Sequence, residues 1–429
     1  MMGTSIRSLW LGLLLLGSLF ARSPAFADQV EVKRHVTLRA SPSRQAVAIR
    51  YPGIGEKFAL LDDGAKQHGY YHVVLAGGQT AWIYSTYVQR EPDQPLVGAV
   101  APSSGKMAVH YIDVDQGASA LLEFSCGAVL VDAGGRGDQA SAHLMAYLEA
   151  FFARRPDLHR TIATIFITHT HIDHNTNLKL IAQAFHIGGY VHNGVLTGSG
   201  SPNAKWMADY APSATPAIPA LGVTEDMVVA GGPGGLTNAV IDPVNCADGD
   251  PQFHVLSGSY AVNPGWPDGE FENGNNKGIV IRLDYGKSSF LFTGDMEDTA
   301  LETMVNHYAR TSLLDVDVYT VGHHGSYNGT SKALVDAMSP KIAVIEMGHS
   351  NIQAQWTAWA YGHPRKQAVD LLVAGVSGDR DTPATVLVAD AIKSFKPYLM
   401  TRAVYGTGWD GDVTVDADTS GALAVELGK

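Results

Sequence analysis

The sequence predicts an α/β fold preceded by a small β-domain, and three observations support this. From about residue 107 onward, strand-like and helix-like segments alternate. Between residues 30 and 89, short β-type runs are separated by turn residues, which is typical of a small β-barrel. The length of 429 residues exceeds one typical domain of roughly 100–200 residues, so more than one domain is expected.

The composition is that of a globular protein and excludes several classes. Hydrophobic residues make up 45% of the chain, and the formal net charge of −12 is too modest for disorder. Two cysteines are too few for a disulfide scaffold or a Cys-rich zinc module. The net acidity argues against a protein whose main task is to coat nucleic acid. The 17 histidines are informative only if they cluster.

Residues 1–27 have the features of a secretory signal peptide. A basic start precedes an apolar run at residues 9–20, and residues 25–27 (Ala-Phe-Ala) form a cleavage site. The run is shorter than the roughly 20 residues that span a bilayer. We therefore expect an exported protein, periplasmic or extracellular, with no membrane span after signal cleavage; an uncleaved anchor is the alternative. Cys126 and Cys246 can then either pair or remain buried thiols.

Residues 28–90 are predicted to form the small β-domain. Residues 38–43, 69–73 and 81–83 resemble a bacterial SH3-like domain. Such domains are often wall- or peptide-binding accessories, so the resemblance implies a peptidoglycan or peptide ligand. A packing module with no ligand is the equal alternative. Residues 91–106 are rich in Pro, Gly, Ser and Ala and are predicted to be a linker.

The segment from 107 to 429 is predicted to be one large domain. Strands are predicted at 107–114, 119–125, 128–132, 163–168, 278–284, 288–293, 316–321 and 341–346. Helices are predicted at 139–154, 176–186, 297–310, 331–338 and 364–373. Residues 193–276 are dense in Gly, Pro, Asn and Ser, so we expect a functional insertion that forms a wall of the site.

A histidine cluster follows the predicted buried strand at 163–168. His169, His171, Asp173 and His174 place four metal-capable side chains within six residues. Imidazole and carboxylate ligands together suit Zn²⁺, Mn²⁺ or Fe. A regular strand cannot direct all four to one place, so the motif requires a loop. A surface histidine run without metal is the alternative.

Three further segments add side chains of the same kind. Asp295 follows an apolar strand and a glycine, His323 and His324 follow another strand, and His363 precedes a helix. Taken singly, an aspartate at a strand end is most often a turn or helix cap. As an ordered set they indicate a site, because strand ends that converge on one sheet edge bring their side chains together.

The residues from His169 to His174 (HTHIDH) match the HxHxDH signature of the metallo-β-lactamase fold superfamily. Within it, the chain resembles the hydrolase domain of ComEC-type competence proteins over most of residues 107–375. The matching motifs are YIDVDQG at 111–117, VDAGG at 131–135, NN at 275–276, TGD at 293–295, HHGS at 323–326 and GHP at 362–364.

The resemblance implies an αββα sandwich with two divalent metal ions at one edge, and we expect Zn²⁺ ahead of Mn²⁺. The implied ligands are His169 and His171 for the first ion, Asp173 and His174 for the second, Asp295 as the bridge, and His324 to complete the second site. In that assignment His323 faces the substrate; the alternative exchanges these two neighbouring histidines.

The resemblance also implies catalytic roles for Asp173, His323 and His363. His363 is expected to donate a hydrogen bond to the developing oxyanion or to protonate the leaving group. Asn276, His323 and His363 are expected to bind substrate. Asp132 is expected to orient the metal-binding histidines. The alternatives are a surface residue at a helix N-terminus for His363 and a turn residue for Asn276.

The sequence departs from the family pattern at three positions. Glycine is usual where Asp115 stands, and aspartate is usual where Ala118 stands. Neither belongs to the HxHxDH ligands, so we expect little effect on metal binding. Many members also supply a histidine between the signature and the Gly-Asp motif. Here His254 lies too early, which leaves the third protein ligand of the first ion unassigned.

These residues predict an exported metal-dependent hydrolase that uses a metal-activated hydroxide on phosphate esters or phosphodiesters. The histidine-rich HHGS and GHP motifs offer several donors to an anion, which suits a small-molecule or phosphodiester substrate. The alternatives are an extracellular DNA nuclease, a lactam or lactone hydrolase, and a cell-envelope binding protein in which the metal site is structural.

Overall fold

The computed structural model describes residues 29–60, 65–75, 80–91 and 104–428. The predicted signal peptide and most of the predicted linker lie outside these residues. The chain divides into two compact units, an N-terminal unit that ends near residue 93 and a larger unit that contains residues 104–428. In the described part of the chain, no helix has both the length and the apolar character needed to cross a membrane.

The N-terminal unit is built from short strands. They are β1 (Gln29–Val32), β2 (Leu38–Arg39), β3 (Ala48–Arg50), β4 (Lys57–Ala59), β5 (Lys66–Gln67), β6 (Tyr70–Val74), β7 (Thr80–Tyr84) and β8 (Val88–Glu91). β1 pairs antiparallel with β8, and a five-stranded sheet has the order β3-β2-β7-β6-β5. Val30, Leu38 and Ile83 are fully buried. A small β region is thus present, while its SH3-like character remains a prediction.

The larger unit contains eighteen strands among its described residues. They are β9 (Lys106–Tyr111), β10 (Ala120–Glu123), β11 (Ala128–Val131), β12 (Thr161–Ile162), β13 (Thr164–Ile167), β14 (His186–Ile187), β15 (Tyr190–His192), β16 (Ala220–Gly222), β17 (Pro251–Ser257), β18 (Val280–Tyr285), β19 (Ser288–Phe292), β20 (Val318–Thr320), β21 (Ile342–Ile345), β22 (Asp379–Ala391), β23 (Ser394–Arg402), β24 (Val404–Gly406), β25 (Val413–Asp418) and β26 (Leu423–Leu427).

Its α-helices alternate with many of these strands. They are α1 (Gly137–Arg154), α2 (Ile172–Asn175), α3 (Leu178–Ala184), α4 (Ser201–Tyr210), α5 (Glu225–Ala230), α6 (Asp268–Glu272), α7 (Asp298–Tyr308), α8 (Lys332–Met338), α9 (Ala358–Tyr361), α10 (Lys366–Gly375) and α11 (Thr407–Asp410). Every helix and strand predicted from the sequence in this unit is present, with ends that differ by a few residues.

Two mixed sheets organise the larger unit. The first has the order β16-β15-β13-β11-β10-β9-β25-β26 and the second has the order β17-β18-β19-β20-β21-β24. In the first sheet β11, β13, β15 and β16 run parallel, and in the second β19, β20, β21 and β24 run parallel. The remaining neighbours in both sheets are antiparallel.

The apolar run of β13 shows how the layers form. Successive side chains of a strand point to opposite faces. Ile165 and Ile167 therefore pack with α1, α3 and α4 on the outer face, while Phe166 points into the core between the sheets. There it stacks on Phe253 of the second sheet with ring centroids 5.8 Å apart. A strand buried on both faces reads as a continuous apolar run, which explains the sequence pattern.

The second sheet is also covered on both sides. All residues of β19 and β20 are buried, and helices α7, α8 and α10 contribute Leu301, Leu334 and Leu372 to the same core. The order of layers is therefore helices, sheet, sheet, helices, as predicted.

The insertion is more regular than its composition predicts. Residues 193–276 contain α4, β16, α5, β17 and α6. A disulfide joins Cys126, in the turn between β10 and β11, to Cys246 in the insertion, with the two Cα atoms 5.5 Å apart. The pairing that the sequence left open is thus present, and it ties the insertion to the first sheet.

The direction of the parallel strands fixes where the polar loops lie. The segments that follow β11, β13, β19, β20 and β21 leave the carboxyl ends of these strands. These ends meet at one edge of the sandwich, the usual place for a site in sheets of this kind.

Candidate metal centre

The loop after β13 gathers the histidines of the HxHxDH motif. His169 lies two residues after the end of the strand, and the short helix α2 begins at Ile172 and carries His174. The ring centroid of His169 lies 4.2 Å from that of His174 and 4.6 Å from that of His171. The chain turn predicted for this motif is therefore present, and it brings three imidazoles into contact.

Asp132 orients this loop from the end of β11. Its carboxylate accepts hydrogen bonds from the Thr168 backbone N–H at 2.7 Å, from the Thr168 hydroxyl at 2.8 Å and from His174 Nδ1 at 2.7 Å. An acceptor at Nδ1 fixes the proton on that atom and leaves the Nε2 lone pair free. The backbone of Asp132 is left-handed, with φ of 59°, a conformation that Asp and Asn adopt more readily than most residues.

Asp295 lies at the middle of the cluster. One carboxylate oxygen, Oδ1, is 3.1 Å from His174 Nε2, and the other, Oδ2, is 3.4 Å from His324 Nε2. Oδ2 is also 3.9 Å from His169 Nε2. The preceding residue Gly294 has φ of 53°, and a Cβ there would lie 2.8 Å from the Thr168 side chain. Glycine therefore permits the close approach that delivers this carboxylate.

His323 and His324 point to different places. Both have left-handed backbones, with φ of 50° and 52°. His324 Nδ1 donates to the backbone oxygen of Glu346 at 2.6 Å, and its Nε2 lies 3.5 Å from Asp173 Oδ2. The ring of His323 is less buried, and its Nδ1 lies 3.1 Å from Asn328 Oδ1. His324 thus enters the cluster and His323 lines the adjoining cavity, which is the arrangement that the sequence favoured.

The chemistry of the cluster fits a divalent cation. Asp173, His174, Asp295 and His324 each offer one ligand atom, and these atoms lie within 4.8 Å of one another. The Nε2 atoms of His174 and His324, and that of the neighbouring His169, are buried without a hydrogen bond. Buried polar atoms normally have a partner, and a metal ion bound to these Nε2 atoms would supply one.

His169 and His171 lie beside this group of four rather than within it. The Nε2 atom of His169 is near Asp295, while His171 lines the adjoining cavity. The four clustered ligands fit one ion. The other ion, which the resemblance assigns to His169 and His171, remains a prediction, and so does the identity of the metals.

Electrostatics favour positive charge at this centre. Burial, aided by the nearby charge of His174, holds the pKa of His169 well below its ordinary value. Burial also lowers the pKa of His174, but the carboxylates of Asp295 and Asp132 outweigh it, and that pKa stands well above its ordinary value. Against the same effect of burial, Asp295 raises the pKa of His324 to about 10. The carboxylates thus stabilise positive charge in the cluster. Protons on the imidazoles supply this charge, or a divalent cation does so in place of those protons.

A cavity of about 640 Å³ opens beside the cluster. The part of its lining that is shared with the cluster consists of Asp173, Asp295, His171 and His324. Other lining side chains contain nitrogen atoms that can donate hydrogen bonds. These side chains are Gln116, Arg136, Asn275, His323 and His363; nitrogens of Gln116, Asn275 and His323 already have partners in the protein, which leaves Arg136 and His363 Nε2 as the clearest donors. The cavity has the size of a small-molecule site.

His363 is one of these wall residues. Its ring is buried, and burial together with the charges of His323 and His324 holds its pKa well below the ordinary value. Its Nδ1 lies 3.4 Å from the Gln116 amide nitrogen, while the Gln116 amide oxygen accepts from the Gly348 N–H. The ring is therefore neutral near pH 7 with its proton on Nε2. Of its two predicted roles, hydrogen-bond donation fits this state better than protonation of a leaving group.

Asn276 is engaged within the protein. Its amide nitrogen donates to the backbone and side chain of Glu270, at 3.1 and 2.9 Å, and its amide oxygen accepts from the Glu297 N–H at 3.0 Å. The neighbouring Asn275 lines the cavity instead, with a buried amide oxygen that has no hydrogen bond. The pair of asparagines was visible in the sequence, but which one faces the cavity was not.

Sequence reasoning missed the residues that support or flank the centre. Glu346 supplies the backbone acceptor for His324, and its buried side chain accepts from the Ser119 N–H at 2.7 Å. Burial raises the pKa of the Glu346 carboxyl to about 8. Arg136, Trp356 and Tyr361 in the cavity wall were also missed. Arg136 and Trp356 belong to no motif, whereas Tyr361 directly precedes the GHP motif, which was the one local signal for it.

Comparison with known proteins agrees with this geometry. A family model described as the metallo-beta-lactamase superfamily matches residues 112–349. The chain is similar to ComE operon protein 3 of Bacillus subtilis (strain 168), with 32% identity over 123 residues, which are 29% of this chain and 13% of that protein. It is also similar to Recombination protein 2 of Haemophilus influenzae, with 39% identity over 89 residues, which are 21% of this chain and 10% of that protein.

The chain therefore spans only a small part of the length of these relatives. Among solved structures, the metallo-beta-lactamase fold protein YhfI from Bacillus subtilis matches 64% of this chain and 94% of its own, at 10% identity and a TM-score of 0.35.

Proposed function

This chain belongs to the metallo-beta-lactamase superfamily and is a metal-dependent hydrolase, and from that premise we propose that it hydrolyses phosphate esters or phosphodiesters. One observation carries the proposal. The cavity wall beyond the metal cluster presents nitrogen donors, whereas the carboxylates that line the cavity, Asp173 and Asp295, belong to the cluster. Such a site attracts an anion, which suits a phosphoryl group.

Each side chain then has a defined task. Asp173, His174, Asp295 and His324 would hold the cation. When bound, the cation supplies Lewis-acid activation of the phosphoryl group and of water near neutral pH. Asp132 holds His174 in the tautomer whose Nε2 lone pair is free to bind the cation.

The wall residues bind and orient the substrate. The neutral His363 donates a hydrogen bond from Nε2 to a phosphoryl oxygen, and the ring of His323 lines the same wall, where its Nδ1 lies 3.1 Å from Asn328 Oδ1. The guanidinium of Arg136 adds positive charge at the rim, where it draws an anionic substrate toward the cluster.

Nucleic acid is the second candidate substrate. One of the similar proteins is named Recombination protein 2, and because recombination acts on DNA this name favours a phosphodiester of DNA. The net charge of −12 weighs against extended contact with a polyanion, so small phosphate esters stand first.

The experiment is a parallel substrate panel with added Zn²⁺ or Mn²⁺. The panel contains bis(p-nitrophenyl) phosphate, DNA and the lactam nitrocefin. We expect hydrolysis of bis(p-nitrophenyl) phosphate. Asp173→Ala should reduce phosphodiester hydrolysis at least about 100-fold, because loss of an outer-sphere partner alone reduces it about 10–100-fold. Asp381→Ala, at an exposed site, is the control. Lactam opening without phosphodiester hydrolysis would overturn the proposal.

We also propose that the protein is exported and that its N-terminal unit binds peptidoglycan or peptide. The Cys126–Cys246 disulfide supports export, because such bonds persist in oxidising compartments. Cell fractionation tests the location. Sedimentation with isolated peptidoglycan, with and without residues 28–90, tests the binding module. Equal sedimentation of both proteins would contradict that role.

A further inference from the structure

A row of aromatic rings extends along the cavity wall from the metal cluster to exposed residues. His324 stacks on His363 with ring centroids 6.3 Å apart and planes at 27°. His363 stacks on Tyr361 at 5.5 Å and 20°, and Tyr361 meets Trp356 at 6.3 Å. The guanidinium of Arg136 lies over the Trp356 ring, 5.9 Å from its centroid. All five residues line the cavity.

The outer members of this row are neighbouring exposed aromatic residues. Trp356 has 56% of its surface exposed and Tyr361 has 36%. Singly exposed aromatic residues are common, but a contiguous apolar patch beside a cavity marks a ligand-binding surface. The backbone of Trp356 is also left-handed, with φ of 64°, which is a strained conformation for a bulky residue. Such strain concentrates at ligand-binding sites.

We propose that Trp356, Tyr361 and Arg136 form a subsite for a planar ring carried next to the phosphoryl group, and that the natural substrate is a nucleotide ester. This proposal rests on the proposed phosphoesterase function. A nucleobase has a π-face for the aromatic rings and acceptor atoms at its edge for the guanidinium. An alkyl chain would match the rings but would offer no acceptor atom to the N–H groups of the guanidinium. The ring subsite and the metal cluster lie in one cavity, which a base and its own phosphate can occupy together.

The test compares a ligand that carries a nucleobase with a sugar phosphate that lacks one. Binding of thymidine 5′-monophosphate and of 2-deoxyribose 5-phosphate to the full-length, Zn²⁺-loaded protein is measured by calorimetry. We expect the thymidine ligand to bind at least tenfold more tightly. Trp356→Ala should weaken its binding about 5- to 100-fold, the range for loss of one base-stacking contact. The affinity for deoxyribose phosphate should not change.

Two further variants separate recognition from folding. Trp356→Phe should restore most of the affinity, and Trp356→Gly, which suits the left-handed backbone, should behave like the alanine variant. Trp206→Ala, at a tryptophan that stacks on Tyr210 outside the cavity, is the matched control and should bind like the wild type.

The outcomes distinguish this subsite from the proposed function. Equal binding of both ligands, or a preference unaffected by Trp356→Ala, overturns the ring subsite even if bis(p-nitrophenyl) phosphate is hydrolysed. Failure to bind either ligand overturns it as well. Trp356-dependent binding of the thymidine ligand by a protein that hydrolyses no phosphate ester upholds the subsite and rejects the proposed function.

Discussion

Replacement of Asp132 by asparagine should weaken metal binding without altering the fold. The side chain keeps its shape, and asparagine tolerates the left-handed backbone at this position. Its amide oxygen can still accept from the Thr168 N–H. Its amide nitrogen, however, then faces His174 Nδ1, which the carboxylate oxygen contacts at 2.7 Å in the native protein.

The consequence is a change of tautomer. A donor placed against Nδ1 requires this atom to accept, so the proton of His174 moves to Nε2. The Nε2 atom is the one that lies 3.1 Å from Asp295 Oδ1 and belongs to the ligand group. Loss of such an outer-sphere partner typically reduces metal affinity about 10–100-fold, or about 1.4–2.7 kcal/mol.

The assay is a Zn²⁺ titration in competition with a chromophoric chelator, combined with a thermal melt of each protein. Asp412→Asn is the matched control, since Asp412 also accepts from a histidine, His143, at 3.0 Å, and lies outside the ligand group. We expect only Asp132→Asn to lose affinity. Equal affinities of wild type and Asp132→Asn, or an equal loss in both variants, would refute the role of the carboxylate.

Three further predictions concern other parts of the larger unit. Cys126→Ser should lower the free energy of unfolding by about 3–5 kcal/mol, because the disulfide closes a loop of 120 residues; denaturant titration measures this. His143→Gln should lower the melting temperature more at pH 5.5 than at pH 9. Burial lowers the pKa of His143, but Asp412 outweighs it and raises that pKa, so the pair stabilises below about pH 6.5 and is lost as pH rises through the raised value. Equal losses at both pH values would contradict this. Gly134→Ala should abolish stoichiometric Zn²⁺ binding, since a Cβ would lie 1.6 Å from a backbone oxygen of the metal loop, whereas Gly269→Ala, with open space around it, should bind normally.

The core strands and the metal-binding motif could be predicted because their signals are local. The apolar run of β13 is explained by burial on both faces, and the polar residues that follow it begin the loop. Asp295 and His324 were predicted in the same way, as residues that follow apolar strands. The antiparallel strands β25 and β26 near the C-terminus, which extend the first sheet, were missed.

Contacts between distant segments could not be predicted with the same success. The stacking of Trp356 and Arg136 joins residues that are far apart in the chain, and neither belongs to a repeating pattern. The insertion was expected to be irregular because its Gly and Pro content is high, yet tertiary packing stabilises α4 and β17 within it.

The sequence by itself determined the order of the core strands and helices, the types of candidate metal ligand and their place at strand ends, because these depend on periodicity over a few residues. The tertiary structure decided that His324 rather than His323 enters the cluster, that Asn275 rather than Asn276 faces the cavity, and that the two cysteines pair. A rule based on local sequence cannot distinguish two neighbouring residues of the same type. The backbone angles and the order of strands in the two sheets are what direct one of them to the site.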